Sequence, residues 1–409
     1  MKRSPVQSYV RWLLGPVIVV LLLAAAINTV VNPLRVTPLP WSVDSLEPYR
    51  VVEHYERTAK AGLVRSADWQ GAVFGSSRMD IGINPDHPSL AGTRTANLSL
   101  SAGKLTENVE MLRYACEHEK LDLIIFGIDL IDLAEPVRVA KTDFYSSPLS
   151  RTGSRLDREL QYYFGLTMLK NSFLVITRAA RDIPSEHIPN GHWVLNHPID
   201  PRKDAEKKSL AQAFGLSRNR STATERINPQ KAAMVRDILK LSRKENARLI
   251  IVLPPNHASF NAALYLAEDI DPGFRAEREF LTKLVAEDNA AHPQAAAAAV
   301  WDFDDFHPRN CEPIPADYGG KMIDWRDVTH AGPTIGNLIL DAITAPQQVE
   351  AAPAAYGTLL TPATLNAHLA DRDAGFQRYR AERKEEIAWI ESILTDLKAN
   401  ASKLIMPEE

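Results

Sequence analysis

A serine hydroxyl is nearly inert at neutral pH unless a neighbouring base can take its proton. The chain offers both halves of such a pair, far apart in sequence. Ser76-Ser77-Arg78 follows the apolar run Ala72-Val73-Phe74-Gly75, and Asp327-Val328-Thr329-His330 comes about 250 residues later. A buried strand ending in Gly would set the two hydroxyls on the turn at its C-terminal end, where open α/β sheets handle ligands. The spacing in Asp327-x-x-His330 allows a carboxylate to turn back onto an imidazole in the same loop. Each piece has a plainer reading, because a Gly-Ser-Ser turn is usually a helix cap. Arg78 is a candidate anion clamp for substrate, though such a residue is more often an ion-pair partner.

The elements that must position these residues can be read from hydrophobic patterning. Strands are expected at 69–74, 95–100, 121–126, 247–253 and 295–303, the last with an alanine-rich start that could equally prolong a helix. Between them 105–120, 229–246 and 335–343 carry helical periodicity, with further helical sequence up to about 289. Strand alternating with helix at this spacing predicts a parallel sheet covered on both faces. Residues 132–228 interrupt the alternation and read as a mostly helical insertion, with a polar, basic loop at 198–228. Residues 345–355 look like a linker, and 361–404 like a helical hairpin packed on the body through Leu369, Phe376, Tyr379, Ile387, Ile390 and Leu394.

Composition narrows the class of partner. The chain has 409 residues, 45% of them hydrophobic, and a formal net charge of -4 without any block of Lys and Arg. Nucleic acid is therefore not an expected partner. Trp12 to Val31 is twenty residues without a charge, the length a helix needs to cross a bilayer. Lys2, Arg3 and Arg11 precede it, so the positive-inside rule leaves the start in the cytoplasm and exports the rest. Ala24-Ala25-Ala26 would suit a cleaved signal peptide, but the apolar run continues beyond them, which favours an uncleaved inner-membrane anchor. Residues 32–68 then form a Pro-rich tether and a helix, and 69–344 the main domain. Cys116 and Cys311 would share an oxidising compartment, and the sequence leaves their pairing open. Asn97-Leu98-Ser99 matches a glycosylation pattern in a setting that reads as a buried strand end.

Taken in order, the strand ends resemble the blocks of the SGNH (GDSL-like) hydrolase superfamily. Gly75-Ser76-Ser77 stands in the place of Gly-Asp-Ser, Gly103 follows the second strand, Gly127-Ile128-Asp129 follows the third, and Asp327-x-x-His330 precedes the final helix. The Gly-Ser-Ser variant is similar to membrane-tethered members linked to acylation of cell-envelope polymers. The resemblance implies an α/β, flavodoxin-like parallel five-stranded sheet. It makes Ser77 the nucleophile, His330 the general base and then acid, and Asp327 the group that fixes the imidazole tautomer. It favours that pair over a rival Asp-x-x-His, Asp304 to His307, which no helix follows at once. Asp302, Asp304, Asp305 and His307 could also be read as metal ligands, yet such clusters are usually solvated loop, and no metal or cofactor is expected.

For the oxyanion hole the resemblance implies the N–H groups of Ser77 and Gly103 and a third donor at position 129. Asp129 departs from the family's Asn there, and an ionised Asp only accepts hydrogen bonds. Either Asp129 orients another group, or Asn256 or Arg78 takes the donor role, or the site is weak. The implied activity is that of a periplasm-facing serine esterase or O-acyltransferase using an acyl donor or acylated glycan, and the partner the resemblance implies is an acyl-exporting membrane protein. The alternative is a catalytically weak or inactive scaffold or glycan-binding subunit.

Overall fold

A computed structural model describes residues 5–37, 43–130, 132–221, 227–267, 272–344 and 355–400. By its contacts the chain divides into two compact units, Met1–Asp68 with Lys141–Val194, and Trp69–Ala140 with Leu195–Glu409. The 132–228 stretch is therefore not one insertion: its middle folds with the N-terminal segment and its ends fold with the sheet.

In the first unit, α1 (Pro5–Val31) contains the apolar stretch Trp12–Val31, long and apolar enough to span a membrane. It is followed by α2 (Glu56–Val64), α5 (Arg155–Phe164) and α6 (Leu166–Ala180). Their shared core gathers Val31 and Leu34 with Val51, Tyr162, Met168 and Val175.

The second unit carries a six-stranded mixed sheet in the order β2-β1-β3-β4-β5-β6. Its strands are β1 (Gly71–Phe74), β2 (Thr95–Asn97), β3 (Leu123–Gly127), β4 (Arg248–Leu253), β5 (Ala299–Asp302) and β6 (Thr358–Leu359). The first five pair in parallel, with Val73 opposite both Asn97 and Ile125, and Gly127 opposite Val252. The sixth is antiparallel, Asp302 facing Thr358. A strand of two residues has too little alternation to announce itself, so the five-stranded, all-parallel expectation is corrected by one short edge.

The parallel strands run 2-1-3-4-5, so the winding direction reverses between β1 and β3. In doubly wound sheets the crevice at the strand ends there is the favoured ligand site. Helices α3 (Ser77–Gly82), α4 (Leu105–His118), α8 (Pro229–Glu245), α9 (Ala258–Ala267), α10 (Pro272–Ala291) and α11 (Pro333–Thr344) connect the strands. One sheet face buries Val73, Ile125, Ile250 and Val252 beneath Ile335, Ile339 and Ile343 of α11. The alternate residues Ile124, Phe126 and Ile251 point the other way and are equally inaccessible. Both faces are thus covered, which is why β3 and β4 read as continuous apolar runs.

Residues 198–228, read as a loop, instead include helix α7 (Leu210–Ser221), preceded by a helical turn at Pro201–Asp204. The alanines at 295–298 join neither helix nor strand. The 345–354 part of the linker lies outside the described residues. Beyond it, α12 (Leu365–Glu382) and α13 (Lys384–Ala399) pack Phe376, Tyr379, Ile387, Ile390 and Leu394 against Phe260, Leu264 and Phe306, the hairpin the apolar stripe suggested.

Candidate active site

β1 ends at Phe74, and Gly75 turns the chain with φ at +150°, where a side chain would also run into Met79. Only glycine tolerates that backbone. The turn opens α3, and the two hydroxyls then divide their tasks. Ser76 is buried and caps the helix, its Oγ accepting from the Arg78 N–H at 3.3 Å. Ser77 is the first helical residue and half-buried. Its own N–H is among the helix-initial donors that have no intrahelical acceptor.

The Ser77 Oγ lies 2.9 Å from His330 Nε2. On the other side of the ring, Nδ1 is 2.7 Å from Asp327 Oδ2. That contact favours the tautomer with hydrogen on Nδ1, leaving the Nε2 lone pair aimed at the hydroxyl, an assignment made from the hydrogen-bond network. Asp327 is fixed in turn. Its Oδ1 accepts from the N–H groups of Thr329 and His330, at 2.7 and 2.9 Å, and from the Thr329 hydroxyl at 2.8 Å. Burial works against its charge, but the His330 imidazole and these hydrogen bonds prevail and hold the carboxyl down at about 2. An anion at this place orients the imidazole and stabilises it once protonated.

The loop bearing these residues is tightly held. Gly332 N–H donates to the Asp324 carbonyl at 2.7 Å and Arg326 N–H to the His330 carbonyl at 2.9 Å. His257 is fully buried, and its N–H reaches the Val328 carbonyl at 3.1 Å. Its ring joins Ser259 Oγ at 2.8 Å and the Glu312 carbonyl at 2.6 Å, and its edge meets Trp325. Burial, only partly offset by the Glu312 carbonyl, lowers its pKa to about 4, so at neutral pH it is an uncharged brace. Asn97 performs the same service for α3: it is inaccessible, and its amide donates to the carbonyls of Met79 and Ile83 at 3.0 and 2.9 Å. A buried Asn97 is no glycan acceptor in the folded chain.

Two of the expected oxyanion donors, Gly103 and Asn256, are engaged by other acceptors. Gly103 N–H is spent on the Leu100 carbonyl at 2.7 Å. Asn256 is buried and gives both its N–H and its amide to Asp304 Oδ1, at 3.1 and 3.0 Å. Asp129 is paired with Arg78, Oδ1 to Nη1 at 3.6 Å. The Arg78 guanidinium also lies over the Phe260 ring at 6.0 Å. Arg78 thus neutralises the carboxylate next door instead of standing free as an anion clamp. The neighbouring Asp132 is buried, and burial together with the Asp129 charge raises its pKa. These two expectations, Gly103 and Asn256 as donors, are corrected by competing acceptors closer at hand.

The rival pair is accounted for structurally. His307 caps a short turn through its Nδ1, which accepts from Arg309 N–H, and its ring stands edge-on to Tyr356. Asp302 is paired with Arg278, and with His368 at 2.8 Å, while Asp304 is 3.5 Å from Arg278. These carboxylates are thus held by protein side chains, and against the effect of burial the Arg278 guanidinium drives the Asp302 carboxyl well below its ordinary range. Cys116 and Cys311 are both free, each thiol pushed up to about 12, chiefly by burial.

Sequence reasoning missed Thr329, His257 and Asn97 as positioning residues. Thr329 had a signal, a hydroxyl inside the Asp-x-x-His span. His257 and Asn97 act across long sequence separations and had none. Set against known proteins, the chain matches no family model and no curated sequence.

Proposed function

We propose that the chain is a membrane-anchored serine esterase or O-acyltransferase of SGNH type, facing the periplasm or cell exterior and acting on acyl groups of a cell-envelope glycan. The observation that carries the reading is the continuous contact from Ser77 through His330 to Asp327. The order of the sequence blocks and the position of Ser77 at the switch point of the parallel strands support it.

In the first step Ser77 Oγ attacks the carbonyl carbon of an ester, and its proton passes to His330 Nε2. The tetrahedral oxyanion takes the Ser77 N–H as donor. Collapse expels the alcohol, which leaves with the proton from His330, and an acyl-serine remains. Water or a sugar hydroxyl then gives its proton to His330 and attacks the acyl carbon, returning Ser77. Both acceptors use the same machinery. An acyl-exporting membrane protein is the natural source of the donor for the transferase form.

One set of observations favours a second reading, a weak or silent scaffold that binds envelope glycan. Gly103 and Asn256 have spent their donors elsewhere, and position 129 holds an Asp paired with Arg78 in place of an amide. An aryl-acetate assay on the purified full chain separates the two. The enzyme reading expects turnover that Ser77→Ala lowers by ~10³-fold or more. Folded wild type no faster than Ser77→Ala sinks it. Acylated sugar formed when a glycan acceptor is added marks a transferase, and free acetate alone marks a hydrolase.

A further inference from the structure

The two helices that grip the end of α1 have a second apolar side that no described residue of their own unit covers. α6 turns Met168, Ser172 and Val175 inward, where they pack near Val31 and Leu34. Its opposite side carries Leu166, Phe173 and Ile176, with Ile183 just beyond the helix, at steps of seven, three and seven residues. Within the helix, that spacing keeps Leu166, Phe173 and Ile176 on one face. The four are 81%, 52%, 42% and 51% exposed, and on α5 Leu160 and Phe164 are exposed as well. Water is a poor solvent for so much clustered hydrocarbon.

Where these helices meet α1 identifies what covers them. A 20-residue span at 1.5 Å per residue just matches a hydrocarbon core of ~30 Å. The last turns of α1 therefore emerge at the boundary between acyl chains and headgroups. At that level Asn28 would leave an amide in hydrocarbon, a costly loss without a partner. The partners come from α5 and α6: Asn28 Nδ2 donates to the Tyr163 carbonyl at 2.9 Å, and Ser172 Oγ donates to Asn28 Oδ1 at 3.0 Å. Residues 155–183 carry five Arg or Lys against three Asp or Glu. An apolar stripe flanked by basic residues is the pattern of a helix lying in a membrane interface.

We propose that α5 and α6 lie in the headgroup layer of the bilayer that α1 crosses, with the Leu166–Phe173–Ile176 stripe against the acyl chains. The inference rests on α1 being a membrane anchor. It makes the first unit a rigid foot, since α1 is then held at its exit by two helices that are themselves fixed in the interface.

The test is bimane fluorescence on the full chain reconstituted into phosphatidylcholine–phosphatidylglycerol vesicles, with the label at Phe173→Cys, Leu160→Cys or, within the span, Leu21→Cys. The unsubstituted chain serves as blank and corrects for any label on Cys116, which is buried, or Cys311, which is partly so. Nitroxide-labelled lipid should quench Phe173→Cys and Leu160→Cys as it quenches Leu21→Cys, and aqueous iodide should quench none. Iodide quenching at Phe173→Cys with lipid quenching at Leu21→Cys overturns the proposal and leaves the anchor intact. Phe173→Cys shielded from both quenchers also overturns it, since protein then covers the stripe. Absence of lipid quenching at Leu21→Cys defeats the anchor reading and the proposal with it.

Discussion

At the scale of single residues, the unusual feature is a carboxylate where the proposed chemistry wants an amide. Asp129 is tolerable because Arg78, one residue after the nucleophile, sits beside it. Removing the charge and removing its partner should therefore have opposite effects. Asp129→Asn supplies a donor and releases the guanidinium, so the rate of acyl-serine formation should rise. Arg78→Gln leaves the carboxylate unopposed next to a developing oxyanion, and the rate should fall roughly tenfold, about what one charge-assisted contact is worth. Single-turnover kinetics with an aryl ester reads both, and a fall in both variants contradicts the assignment. The triad residues were legible in sequence because each block keeps its chemistry within four residues. The oxyanion donors were not, since which acceptor a backbone N–H chooses depends on turns that sequence spacing does not fix.

At the scale of elements, the distance between Ser77 and His330 depends on how α3 and α11 approach each other. A Cβ on Gly336 of α11 would fall onto the Gly82 carbonyl of α3. Gly336→Ala should cost ~1–3 kcal/mol by overpacking and should slow serine labelling as the helices part. A thermal melt alongside labelling kinetics checks this, and unchanged values in both would show that the approach is slack. His257 offers a pH signature from the same region. Its folded pKa of about 4 lies below its ordinary 6.5, so its contribution to stability is complete above pH 6.5. That contribution is lost as pH falls from 6.5 towards 4, because the unfolded chain takes up the proton first. Urea midpoints should fall with acid more steeply for wild type than for His257→Asn, by at most ~1.4 kcal/mol per pH unit. The parallel strands were readable from continuous apolar runs. β6 was not, being too short to show alternation, and α7 was not, because its apolar positions Leu210, Ala213 and Phe214 lie within the otherwise polar, basic stretch 198–228.

At the scale of the molecule, the chain combines an apolar N-terminal helix with an α/β unit whose proposed nucleophile lies at the sheet's switch point. The N-terminal helix was legible because a stretch long and apolar enough to cross a bilayer is an uninterrupted apolar run in the sequence. The division into units was not, because Lys141–Val194 joins the first 68 residues through contacts far apart in sequence. If α1 is an uncleaved anchor, the expressed chain should stay in the membrane pellet through alkaline carbonate extraction and retain Trp12 by peptide mass analysis. A soluble chain beginning after Ala26 would show that the helix is a signal peptide.

The central claim is that Ser77 is a nucleophile activated by His330. Its most direct measurement is fluorophosphonate labelling of the folded full chain, with the adduct located by mass spectrometry. The adduct should form on Ser77, vanish in Ser77→Ala, and slow by ~10²–10⁴-fold in His330→Ala, the usual worth of a positioned base. Folded wild type that stays unlabelled, or an adduct that persists in Ser77→Ala, would contradict it.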